Sequence, residues 1–178
     1  MIPKNAWAGG AIMLAVVCSA APAASETRDS CLVGTWTPTN NGAAEWMARN
    51  VPGMNISSSI SDGTFTLRSD GSYSASASIV VMAHPEGGDG SGRSAGDARA
   101  EGYWTAMEGR LVLSPTMEAL EGTYELNSEG HTSVVPLEVG PGGPLSHSYS
   151  CSGDIFETQL AIPGTADPMV QSYRRASP

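Results

Sequence analysis

Lysine occurs once in this 178-residue chain, at Lys4, and phenylalanine only twice. Aromatic residues make up 6% of it, and the one sustained apolar run lies at the N-terminus. Each shortage excludes something. With Lys4 set aside, eight arginines face eighteen acids, a net of −10. That is the wrong sign for nucleic acid or for an anionic membrane surface, both of which need basic patches. The acids are scattered, so they read as a surface kept soluble by charge. His-Glu-x-x-His, Cys-x-x-Cys and a lysine-bearing phosphate loop are all missing. The three histidines, His84, His131 and His147, stand far apart with no second ligand at metal spacing, and no motif for a cofactor accompanies them.

What is present begins with a leader. Lys4, an uncharged stretch from Ala6 to Cys18 and the small residues Ala21-Pro22-Ala23 describe a secretory signal peptide, residues 1–23, cut after Ala23. The apolar stretch is shorter than the ~20 residues a membrane-spanning helix needs, and no later segment approaches that length. Ala15-Val16-Val17 is a poor context for lipidation at Cys18, so the expected destination is the periplasm or the exterior rather than a lipid anchor. Residues 24–178 then form one domain, long enough for a single core. Its two cysteines, Cys31 and Cys151, are expected to pair in an oxidising compartment, closing a loop of 120 residues. On the chain-entropy picture that closure is worth up to ~5 kcal/mol.

The body reads as β throughout. Thr64–Arg68 alternates apolar and polar residues, Ser69-Asp70-Gly71-Ser72 supplies turn chemistry, and Tyr73–Met82 has period two. In that run Tyr73, Ala75, Ala77, Ile79 and Val81 share one face and the serines take the other. Residues 84–98, rich in Gly, Ser, Asp and Pro, predict a long flexible loop. Strands are expected again at Arg99–Ala106, Leu111–Leu113, Thr123–Leu126, Thr132–Val139, Leu145–Cys151, Ile155–Ile162 and Met169–Arg175. Asn40 or Asn41 can cap one short helix through Arg49, with Ala43, Trp46, Met47 and Asn50 on one face. Strands about every ten residues with hairpin turns indicate an antiparallel sandwich or barrel.

Cys31-Leu-Val-Gly34-Thr-Trp36 at the front, Tyr149-Ser-Cys151-Ser-Gly153-Asp154 late and Tyr173-Arg174 at the close resemble secreted bacterial lipocalin-like proteins of the calycin superfamily. The resemblance runs from about Ser30 to Arg175. It implies an all-β, up-and-down antiparallel barrel of about eight strands, with the short helix after the first strand. It also implies that Gly34 and Trp36 form the first-strand signature, and that Arg174 or Arg175 packs across the Trp36 ring.

Parity on Leu145–Cys151 places His147 and Tyr149 with Leu145 and Cys151 on one face, as polar handles in an apolar lumen. Phe65, Tyr73 and Trp104 occupy the matching register of their own strands. These five are the candidate ligand-binding residues, and no catalytic residue is assigned. The alanines between them leave volume for a small apolar or amphiphilic molecule. The reading is therefore an extracytoplasmic small-molecule binding protein. A loop-mediated envelope interaction or inhibitor protein with a filled barrel is the alternative. A small-barrel enzyme, with His147 as acid or base beside Glu101 or Glu157, is the least favoured.

Overall fold

The computed structural model describes residues 28–139 and 142–177, so the expected signal peptide lies outside the described residues. Nine strands and one helix follow in the order β1 Gly34–Pro38, α1 Gly42–Asn50, β2 Met54–Leu67, β3 Ser72–Pro85, β4 Ser91–Met107, β5 Arg110–Ser128, β6 His131–Val139, β7 Leu145–Ser152, β8 Ile155–Leu160 and β9 Met169–Arg175. All pairings are antiparallel. The sheet closes because β1 pairs with both β2 and β9 while β4 pairs with β5.

β6 and β7 both lie along the same edge of β5. β6 pairs with Leu120–Ser128, and β7 pairs with Arg110–Leu113. They are two pieces of one strand, broken between Val139 and Leu145, where Pro144 has no N–H to donate to the ladder. Counted this way, the protein is a closed eight-stranded barrel with sequential strand order and one short helix after β1.

Two expectations about the strands need correction. Residues 84–98 are not a long loop: β3 runs to Pro85 and β4 starts at Ser91, so the connection is only 86–90. Glycine and serine are tolerated there because Ala83 pairs with Gly92 and Ile79 with Gly96 in a ladder that supplies the backbone bonds. The separate strands at 111–113 and 123–126 are one strand of 19 residues, β5, which passes Pro115 by a register shift opposite Glu101 and Gly102. β2 to β5, at 14 to 19 residues each, are thus longer than β1 and β7 to β9.

The helix is capped by Asn41, whose side chain accepts from the Ala44 amide at 3.2 Å. Of its expected face, Trp46, Met47 and Asn50 are half-buried. Gly42 and Ala44 are buried while Ala43 is exposed, because the Gly42 backbone presses on the Val170 carbonyl, where a Cβ has no room. β1 has 5 residues against 14 in β2, so α1 takes the place beside the upper part of β2, between it and β9. Among the described residues no helix is long and apolar enough to cross a membrane.

Candidate functional site

The lumen has two unlike ends. At one, Leu32, Trp36, Leu67, Trp104, Ala106, Leu111 and Phe156 form a filled core, each no more than 3% exposed. Trp36 and Phe156 rings meet at 5.3 Å, and the Trp36 indole donates to the Leu32 carbonyl at 2.8 Å. Arg175 lies over the Trp36 ring, its guanidinium carbon 4.2 Å from the centroid, and donates to the carbonyls of Val33 and Cys31. Arg174, the other candidate, belongs to the outward register and is exposed. Gly34 is glycine for the same reason: with φ of +148°, a Cβ there would collide with the Arg175 guanidinium.

Cys31 and Cys151 are joined by a disulfide, with Cα atoms 6.1 Å apart. Beside it, Asp29 accepts from the Cys31 amide at 2.9 Å and from the Tyr149 hydroxyl at 3.0 Å. Burial, then the hydrogen bond and charge of Asp29, push the Tyr149 phenol up to about 12. The N-terminal segment is thus tied across this end by one covalent and several polar contacts.

Toward the other end the lumen opens into a cavity of about 440 Å³. Phe65, Tyr73 and Tyr173 form its aromatic part, with Ala75, Ala77, Ala98, Ala100, Ile79, Leu113 and Leu120 around it. Phe65 and Tyr173 rings are 5.5 Å apart, and Phe65 and Tyr73 meet edge-on at 6.0 Å. Burial pushes the Tyr173 hydroxyl up to about 12, although its hydrogen bond to Thr158 opposes the shift. A second hollow of similar size, between α1 and β2, is lined largely by polar groups such as Asn40, Asn41, Glu45, Ser57 and Ser58. Apolar walls are what a small-molecule site uses for affinity, and the lumenal cavity has them.

The structure therefore divides the five candidate residues. Phe65 and Tyr73 line the cavity. Trp104, His147 and Tyr149 share the inward register but sit in or against the filled core, outside the cavity lining. Trp104 is 1% exposed and spends its indole N–H on the Arg68 carbonyl. His147 is 9% exposed, and neither ring nitrogen has a hydrogen-bond partner among the described residues. Burial lowers its pKa. No acid–base pair with Glu101 or Glu157 forms, since Glu157 bonds Gln159 and Ser172 on the outer face and Glu101 is exposed.

Sequence reasoning passed over three features. Tyr173 and Leu113 belong to the cavity, and parity on their strands could have supplied them. Glu118 and Leu120 do too, but the register shift at Pro115 hid their inward orientation. Gly92-Arg93-Ser94-Ala95-Gly96 has the Gly-x-Ser-x-Gly spacing of a hydrolase elbow. It lies within antiparallel β4, near the start of the strand, and not at a strand-to-helix turn, so the strained geometry that exposes a nucleophile is not there.

Compared with protein-family models, curated proteins and solved structures, the chain gives no match. The class is set by the fold and its interior: a closed eight-stranded antiparallel β-barrel, disulfide-tied at a filled end and hollow toward the other.

Proposed function

We propose that this protein is an exported, lipocalin-like member of the calycin superfamily that holds a small apolar or amphiphilic molecule in its barrel. The observation that carries the reading is the cavity of about 440 Å³, walled by alanines and closed below by packed aromatic rings. Sites for small ligands start near ~300 Å³, and burying apolar surface is worth about 25 cal/mol per Å². The Cys31–Cys151 bond supports an oxidising compartment. The Gly34, Trp36 and Arg175 arrangement supports the calycin resemblance.

The test has two arms. Native mass spectrometry of gently purified exported protein should find a small molecule on the barrel. An apolar environment-sensitive fluorophore should brighten with wild-type protein. Ala98→Phe, which fills the cavity from the inward register of β4, should weaken it at least about tenfold, or 1.4 kcal/mol, without altering the circular dichroism. An unchanged affinity in Ala98→Phe would place the fluorophore elsewhere and remove the case for a lumenal site.

One observation favours a second reading, recognition of a protein partner. Tyr124, Leu126, Val134 and Val135 on the β5–β6 hairpin are 36–59% exposed, and β6 ends the sheet. An exposed apolar edge of this kind can recruit another chain.

A further inference from the structure

We propose that the cavity selects a ligand with an apolar body and a cationic, amine-type head, held by the Glu118 carboxylate and the Tyr73 hydroxyl. This rests on the ligand-binding reading above and names the chemistry of the ligand.

Few polar groups in the cavity lining remain available to a ligand. Gln171 is spent: its amide nitrogen donates to the carbonyl and side-chain oxygens of Asn40 at 2.7 and 2.8 Å, and its oxygen accepts from the Gly42 amide at 3.0 Å. Thr64 and Ser76 bond each other at 3.0 Å. Tyr173 is bonded to Thr158. Arg99 borders the cavity from the outward register of β4, opposite Ala119, and is exposed. Two groups are left. The Tyr73 hydroxyl makes no hydrogen bond among the described residues. Glu118 uses one oxygen to accept from the Gly142 amide and leaves the other without a bond among those residues.

Register brings the two groups together. Glu118 pairs with Ala100, which pairs with Ala75, so all three point inward on one line across the sheet. Tyr73 is the next inward residue of β3, lying against Gly102, where a Cβ would press on its ring. The small residues Ala75, Ala100 and Gly102 leave nothing bulky between ring and carboxylate. The charge of Glu118 acts on the Tyr73 phenol, which burial first and Glu118 second hold above its usual range. A carboxylate set in an apolar wall is costly until a donor meets it, and its bond to Gly142 fixes where that donor must come. An ammonium satisfies the carboxylate, donates to the phenol oxygen and lies among the rings of Phe65, Tyr73 and Tyr173. A neutral apolar ligand would strand the charge. A carboxylate ligand would meet repulsion there and find a cation only at Arg99, outside.

Calorimetric titration with decylamine, decanol and decanoate separates these possibilities, because the three share one tail. The amine should bind about tenfold tighter than the alcohol, equivalent to 1.4 kcal/mol, with decanoate weakest. In Glu118→Gln, which can still accept from Gly142, the amine should fall to within about twofold of the alcohol while the alcohol stays unchanged. If that variant loses its thermal transition, Tyr73→Phe carries the test and should likewise reduce the amine's advantage. Decanoate binding as tightly as the amine, or an undiminished preference in the folded variant, overturns the proposal while leaving the cavity reading intact. No binding by any of the three overturns both.

Discussion

Replacing His147 by leucine should make this protein more stable, and increasingly so in acid. His147 stands in the apolar register of β7, directly opposite Leu111, and both of its ring nitrogens are enclosed with no hydrogen-bond partner among the described residues. Each buried polar group left without a bond costs about 1–3 kcal/mol. Leucine removes that cost but fits the space differently, so a net gain of about 1–2 kcal/mol is expected near pH 8, or about 2–8 °C in Tm for a domain of this size. The pH dependence follows from the direction of the shift. Burial lowers the folded-state pKa below the ordinary 6.5. At pH values between the two, the unfolded chain binds a proton that the folded chain refuses. Stability is therefore full above about pH 6.5 and lost as the pH falls toward the folded pKa, by up to about 1.4 kcal/mol per pH unit. His147→Leu lacks this term. Urea unfolding with the disulfide intact, at about pH 8 and about pH 5.5, should show a larger advantage for the variant at the lower value. A variant less stable at both, or equally favoured at both, would refute the assignment of His147 as an unpaired, neutral core residue.

Two further outcomes concern the filled end. Arg175→Ala should cost about 2–4 kcal/mol in urea unfolding, from the lost ring contact and two carbonyl bonds, and Arg175→Lys should restore less than half of it because an ammonium cannot fork between Val33 and Cys31. Thiol titration of denatured, unreduced mature protein should find about zero free thiols, and Cys151→Ser should lower stability by about 2–5 kcal/mol.

Much of the barrel was legible because period two survives single-residue reading. Tyr73 to Val81 alternates so regularly that its inward set could be assigned from the chain alone, and the structure keeps that assignment. The disulfide was legible for a simpler reason, since the segment after residue 23 offers one possible pair. Composition misled at 84–98: glycine and serine signal a loop when a strand must stabilise itself, but here β3 and β5 flank β4 on both sides and fix its backbone. Glu118 was hidden by the shift between Glu101 and Gly102. One added residue reverses parity, and nothing in Ser114-Pro115-Thr116-Met117 says on which side of the proline the shift falls. His147 was read correctly as inward, but its place against the filled core was not legible, because parity fixes the face of a residue but not its height in the barrel.

Height is set by the meander itself. Each hairpin reverses the chain, so a gradient of side-chain size along one strand must run backwards along the next if the two are to share a floor. β3 leaves the filled end with Tyr73 and continues through Ala75 and Ala77; β4 arrives there through Ala98, Ala100 and Gly102 before Trp104. β2 descends to Phe65 and Leu67, and β5 starts up from Leu111 and Leu113. Bulk is thus concentrated next to the turn at Arg68–Gly71 and the tight turn at Glu108-Gly109, whose two positive φ values close the hairpin. Trp36 and Arg175 seal the same end, and the disulfide staples it. With most of the bulk drawn to that end, the paired alanines of β3 and β4 above it leave the lumen unfilled. The cavity follows from that mirrored order of sizes, and any ligand it takes rests on a floor the protein has already packed.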